Sequence, residues 1–148
     1  EKGLVVMFIC NHCPFVKHVN LELVKVANDY MSKGIGFVAM NSNDIVNYEE
    51  DSPDNMTKVA AELGYPFSYL FDESQEVAKE FGAVCTPDFF VYDKNGKLVY
   101  RGQLDDSRPE NGVELDGKSM REALDALLEG RQVENQKPSV GCNIKWKD

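Results

Sequence analysis

At 148 residues the chain has room for one domain with a core of its own. Its 25 acidic residues against 16 basic, a net charge of −9, leave no basic face to follow phosphates and exclude a nucleic-acid binder. The longest apolar run, LVVMFIC at 4–10, is too short to span a membrane, and four cysteines are too few to staple a chain of this size.

Residues 4–9, LVVMFI, show no alternation, the pattern of a strand buried on both faces. From Pro14 to about Met31, Val16, Val19, Leu23, Ala27 and Tyr30 recur at helical spacing, and Gly34 supplies the stop. IGFVAM at 35–40 reads as a second strand, followed by the polar run NSND. Ser52 as cap and Pro53 in the first turn open a helix with a buried stripe of Met56, Val59, Ala60 and Leu63, ended by Gly64. FSYLF at 67–71 is the next strand. Asp72 with Gln75 has the spacing of a capping box for a short helix through Phe81, stopped by Gly82. FFVYD at 89–93 and KLVYRG at 97–102 flank Lys94-Asn95-Gly96, a hairpin signal. The acidic stretch 105–116 lacks the register of a calcium loop and reads as solvated. SMREALDALL at 119–128 is an amphipathic helix, and the last eighteen residues are polar apart from Val140, Ile144 and Trp146.

The order β-α-β-α-β-α-β-β-α predicts a single α/β domain over 1–130, with a mixed sheet flanked by helices and a tail, 131–148, packed on or near it. Three βα units, each with a right-handed crossover, precede the hairpin. No secretory signal is visible, which favours a cytoplasmic location. The abrupt opening at Glu1-Lys2-Gly3 reads as a fragment or processed form and keeps a periplasmic or secreted location open.

The chemistry concentrates in CNHC at 10–13. Cys10 falls at the end of the first strand and Cys13 in the first turn of the long helix, where unpaired N–H groups favour an anion. A thiol at the reference pKa of about 8.5 is only roughly 3% thiolate at neutral pH, and a drop of about two units makes it mostly thiolate. The reading places that thiolate on Cys10, with His12 as a neighbouring positive charge and Cys13 as the resolving thiol. A rival reading adds Cys85 and Cys142, or His12 and His18, as ligands for zinc or an iron–sulfur cluster. Structural zinc sites show two close pairs and the chain has one, so no metal is expected. Phe15, Phe89, Phe90 and Tyr92 are candidates for an apolar rim, although neighbours on one strand face opposite ways and some must be core.

The element order, the C-N-H-C pair and Thr86-Pro87 before the hairpin together resemble the thioredoxin-like superfamily over roughly residues 1–130. The resemblance implies a thioredoxin-like fold with an inserted helix and a C-terminal extension. It implies a cis Pro87 beside the cysteine pair, and a backbone edge at Thr86 that pairs with bound substrate. CNHCPFVKH, CTPDFFVYD and the tail PSVGCNIKWK look most like bacterial redoxin-domain proteins of the alkyl hydroperoxide reductase and thiol-specific antioxidant group. The implied activity is thiol–disulfide exchange at Cys10 and Cys13, tuned by Asn11 and His12, with Thr86 and Pro87 positioning the substrate. Its partners would be a disulfide-bearing protein or small thiol and an upstream thiol donor, with no cofactor. The alternative is a thiol-dependent peroxidase using Cys10. Against it, the P-x-x-x-T-x-x-C signature of peroxiredoxins has Gly3 and Met7 at its Pro and Thr places before Cys10. A histidine before the second cysteine is similar to disulfide isomerases and oxidases, implying a potential less reducing than thioredoxin's roughly −270 mV. The buried acid that thioredoxins keep under the site has no counterpart assigned from sequence. Cys85 is either an inert buried cysteine or a third redox partner, and Cys142 is either free or bonded to Cys85 or the active site.

Overall fold

The uninterrupted run Val5-Val6-Met7-Phe8 takes the first strand to the middle of the sheet, where both of its faces are covered. The computed structural model describes residues 2–148. In chain order the elements are β1 (Gly3–Phe8), α1 (Pro14–Met31), β2 (Ile35–Asn41), a single 3-10 turn (Glu49–Asp51), α2 (Pro53–Leu63), β3 (Ser68–Phe71) and α3 (Glu76–Phe81). They continue with β4 (Cys85–Thr86), β5 (Asp88–Asp93), β6 (Leu98–Gly102), α4 (Lys118–Leu128) and β7 (Cys142–Asn143). The main sheet has the order β3-β2-β1-β5-β6, and β4 forms a separate ribbon with β7.

The sheet is mixed, but only two of the three expected parallel crossovers exist. β1, β2 and β3 run parallel, whereas β5 lies antiparallel to β1. The third helix has only six residues, and after it the chain passes through β4 and Pro87 to enter the sheet on the far side of β1.

Alternation along β1 divides the core in two. Val5, Met7 and Ile9 pack with Val16, Leu23 and Val26 of α1 and with Ala123 and Leu124 of α4. Val6 and Phe8 face Ala78 and Phe81 of α3, Phe90 of β5 and Ile144 of the tail. Phe8, Phe81 and Phe90 meet edge to face with ring centroids 5.5–5.7 Å apart, each pair adding about 0.5–1.5 kcal/mol to its area burial. Phe89 and Phe90 are therefore core on opposite faces, not rim.

Three local expectations change. In α2 only Met56 is buried, and Val59, Ala60 and Leu63 are half-covered, so this helix sits at the periphery. No capping box opens α3. Gln75 is itself the N-cap, at a φ of 65°, and the Asp72 carboxylate accepts from the Ala78 and Val77 amides at 3.0 and 3.4 Å. The loop after β6 is not simply solvated. Asp105 is 1% exposed and accepts from the amides of Ser107, Asp116 and Gly117, which organises the entry to α4.

The tail is tied along its length. Gln103 donates its amide to the Lys137 carbonyl (2.9 Å), and the Ser139 hydroxyl reaches Asp88 and the Gly102 carbonyl. Further on, the Ile144 amide donates to Val84, the Lys145 amide to Asn43 Oδ1 and the Lys147 amide to Gln75 Oε1. Gln75 Nε2 adds bonds to the carbonyls of Ser42 and Lys145, so the glutamine expected to cap a helix clamps the tail instead.

Candidate active site

β1 delivers Cys10 two residues past its last member, and α1 starts at Pro14 with Cys13 as its N-cap, in extended backbone at φ −66° and ψ 125°. Proline is favoured there because its missing N–H is one the first turn would leave unpaired. Both sulfurs reach one residue of the neighbouring ribbon. Cys10 Sγ lies 3.5 Å from Thr86 Oγ1, and the Cys13 thiol points at the Thr86 carbonyl, also at 3.5 Å. The Thr86–Pro87 peptide is cis. Cys10, Cys13, Cys85 and Cys142 are all free thiols.

The electrostatics favour ionisation of Cys13 over Cys10, the sulfur to which the sequence reading gave the thiolate. Hydrogen bonding from the Cys10 thiol holds Cys13 down to about 4, in spite of burial, with further help from Cys142, the Val16 amide and the Thr86 hydroxyl. Cys10 is pushed well up, first by its bond to Cys13, then by burial, with the Asp51 carboxylate adding to the effect. Within the pair, ionisation is favoured on Cys13, the sulfur at the helix N-terminus.

His12 does not stand beside Cys10 as a free positive charge. Its Nδ1 is 2.6 Å from Asp51 Oδ2, and its ring stacks on Tyr48 with centroids 5.8 Å apart. Asp51 is the residue that sequence reasoning missed. It is fully buried and accepts the Asn11 amide at 2.7 Å and the side-chain amides of Asn41 and Asn43 at 3.0 Å each. Asn11 is held further by the Glu50 carbonyl and the Tyr69 hydroxyl. The dipeptide between the cysteines is thus fixed by the 3-10 turn and by the polar residues that follow β2. The available signal was position: Asn41 and Asn43 stand at the carboxyl end of a parallel strand, where open α/β sheets place functional groups.

Other sequence candidates are distributed unevenly. Cys142 is the cross-strand partner of Thr86 and lies beside Cys13; burial and the Cys13 thiol push it up to about 11. Cys85, one residue before Thr86, turns to the opposite side of its strand, with its thiol 4.0 Å from the Pro87 carbonyl and burial pushing it up to about 11. His18 is bonded to the Ser107 hydroxyl at 2.7 Å. Among the described residues, the cluster with metal-ligand chemistry is Cys10, His12 and Asp51, whose donor atoms lie within 4.8 Å of one another. At 2.6 Å the His12 and Asp51 atoms are paired with each other, closer than the roughly 3.3 Å between ligands of one tetrahedral ion with bonds of about 2.0–2.1 Å.

The redoxin family model matches residues 1–116. The chain belongs to the redoxin family. It is thus a thiol redox protein, and its fold is thioredoxin-like. Among solved structures it is similar to an uncharacterised conserved protein from Geobacillus kaustophilus, 69% identical with a TM-score of 0.97, covering 99% of this chain and 78% of that one. A hypothetical protein from Sinorhizobium meliloti is 48% identical with a TM-score of 0.97, covering 99% and 80%. A secreted Mycobacterium tuberculosis disulfide oxidoreductase shares the fold at 16% identity and a TM-score of 0.65, covering 84% and 81%. No curated protein matches the chain. No helix among the described residues is long and apolar enough to cross a membrane.

Proposed function

We propose that this redoxin is a thiol–disulfide oxidoreductase that cycles Cys10 and Cys13 between dithiol and disulfide. Its substrates would be disulfide-bearing proteins or small disulfides, with an upstream thiol returning the electrons. The observation that carries the reading is the pair itself: two sulfurs, both held on Thr86, at the junction of a central strand and a helix N-terminus.

Hydrogen bonding between the two thiols gives the attack a short route. Cys10 passes its proton to the Cys13 thiolate and attacks one sulfur of the substrate disulfide. A Cys10–substrate bond forms, the substrate S–S bond breaks, and the departing thiolate takes a proton from solvent. Cys13 then gives up its proton and attacks Cys10 Sγ, releasing the second substrate thiol. The substrate has gained two electrons and two protons, and the chain holds a Cys10–Cys13 disulfide. Fixing Asn11 and His12 through Asp51 keeps the two sulfurs close enough that the second attack needs no search. The disulfide oxidoreductase named among the structural neighbours supports the same reading.

Reduction of insulin disulfides with dithiothreitol as donor tests it. Cys10→Ser abolishes turnover, and Cys13→Ser accumulates a mixed disulfide on Cys10; turnover that persists in the Cys10 variant refutes the assignment. Peroxide consumption that depends on Cys10 and outpaces insulin reduction would move the chain to the peroxidase class.

A further inference from the structure

Cys10 and Cys13 stand at the end of the sheet where a site is expected to be open, yet they are 2% and 0% exposed. The chain's own tail lies against the residue that holds them. β7 pairs antiparallel with β4 in the register Cys85–Asn143 and Thr86–Cys142, so the residue that holds both catalytic sulfurs is paired directly with Cys142. The approach is close enough to require glycine next door, because a Cβ on Gly141 would fall 1.9 Å from the Thr86 carbonyl oxygen.

The register is fixed from both sides. Ser139 is anchored on Asp88 and Gly102 before the ribbon. After it, Ile144 is buried beneath α3, and Lys145 is bonded to Asn43 and Asp44. A strand added to an exposed edge is a common way for a peptide to be recognised, with backbone bonds giving the seat and alternate side chains the specificity. As the cross-strand partner of Thr86, Cys142 shares the face on which Thr86 Oγ1 meets Cys10, and it packs on the cluster that holds Cys10 and Cys13, with its thiol beside that of Cys13. Cys13 is the middle sulfur of three.

We propose that Cys142 is a third redox centre, presented by the tail as an internal thiol that exchanges with the Cys10–Cys13 disulfide and latches the tail to Cys13. The inference rests on the dithiol reading above for its oxidised starting state. Cys142 loses its proton and attacks Cys13 Sγ. The Cys13–Cys142 bond forms, the Cys10–Cys13 bond breaks, and its electron pair leaves on Cys10, which takes up the proton. No electrons enter or leave the chain, and Cys10 is released as a free thiol beside His12 and Asp51. A tethered thiol works at an effective concentration on the order of mM, so it outcompetes a protein thiol at micromolar concentration about 1000-fold. An external partner must therefore displace the tail or reduce the latch before it reaches Cys13.

The test uses the full chain with Cys85→Ser, to remove the uninvolved thiol, and with Cys10→Ser, to isolate the second pair. One equivalent of a small aromatic disulfide is added to micromolar protein, free thiols are alkylated, and unreduced peptides are mapped by mass spectrometry. The expected product is a single linkage joining Cys13 and Cys142, with intermolecular dimers about 1000-fold less abundant. Mixed disulfides or dimers without that linkage overturn the proposal. The same treatment of the chain with Cys10 restored separates the two readings. A Cys10–Cys13 bond there, with no Cys13–Cys142 link in the isolating variant, removes the latch alone, and absence of both removes the dithiol reading as well. In the restored chain the latch also protects Cys142 from alkylation while exposing Cys10, and Cys142→Ser loses that exposure. This arm decides the matter even if the Cys10 variant folds poorly. Gly141→Ala is expected to lower the yield of linkage at least tenfold, and an unchanged yield overturns presentation by the β4–β7 seat.

Discussion

Replacing Asp51 by Asn removes one charge and one acceptor while keeping the shape of the side chain. Asp51 Oδ1 takes the Asn11 amide and the Asn41 side chain; Oδ2 takes the Asn43 side chain and faces His12 Nδ1. In the variant, one oxygen still serves the first pair. The new NH2 group then points at two groups that need an acceptor, and all of this is enclosed at a position with 0% exposure. Two buried groups left without an acceptor cost about 1–3 kcal/mol each, so a loss of about 2–6 kcal/mol is expected. For a domain of this size each kcal/mol moves Tm by about 2–4 °C, so a fall of at least about 4 °C follows. The same substitution removes the carboxylate that opposes ionisation of Cys10, so the alkylation rate of Cys10 should rise and its pH profile should move down. Calorimetry and timed alkylation with peptide mapping measure the two effects. A Tm within about 1 °C of the parent chain, well inside the cost of even one orphaned donor, would show that Asp51 does not organise the site.

Gly141→Ala should unseat the tail through its clash with Thr86, and Cys13 and Cys142 should then alkylate faster than in the parent chain while Cys85 keeps its rate; rates unchanged from the parent chain would show that the tail is not what shields them. Reduced protein should show thiolate absorbance that disappears with a midpoint near pH 4, because Cys13 is depressed to about 4 in the folded chain. A depressed group stabilises the fold above its unfolded pKa and loses that contribution as pH falls, so the reduced form should lose stability relative to the oxidised form between about pH 9 and pH 4. The raised Cys10 acts only on the alkaline side of that window. Asp88 carries a pKa raised mainly by burial, which opposes folding once pH climbs above the ordinary carboxylate range. Asp88→Asn should therefore keep or raise Tm at neutral pH and flatten its dependence between pH 4 and 7, and denaturation scans across that range would refute this if the slope were unchanged.

The features that were legible in the sequence are local ones. The unbroken run of β1, the 3.6-residue spacing of Val16, Val19 and Leu23, and the Asn95-Gly96 turn each carry their own signature within a few residues. The position of CNHC between a strand and a helix follows from the same signals. Asp51 was not legible because its role depends on Asn11 and His12, which are distant in sequence, and the residues around it have the composition of a surface turn. The pull on Cys13 was not legible because it comes from its place as the helix cap and from the Cys10 thiol beside it, and the spacing of CNHC does not say which sulfur caps the helix. Gln75 has the spacing of a capping residue, yet its side chain is claimed by tail carbonyls that no local pattern announces. The β4–β7 ribbon is two residues long on each side, too short for any periodicity to show.

Sandwiching Cys13 between two other thiols has a consequence for oxidative damage. A thiolate is the form that peroxide oxidises, and over-oxidation requires a second oxidant molecule to arrive before the sulfenic acid is quenched. Cys13 is inaccessible to solvent, and Cys10 and Cys142 lie on either side of it. Under the redox roles proposed above, a sulfenic acid formed on Cys13 would condense with a neighbouring sulfur before a second peroxide arrives. Oxidation at this centre would then stop at a disulfide, a state that a thiol donor can reduce.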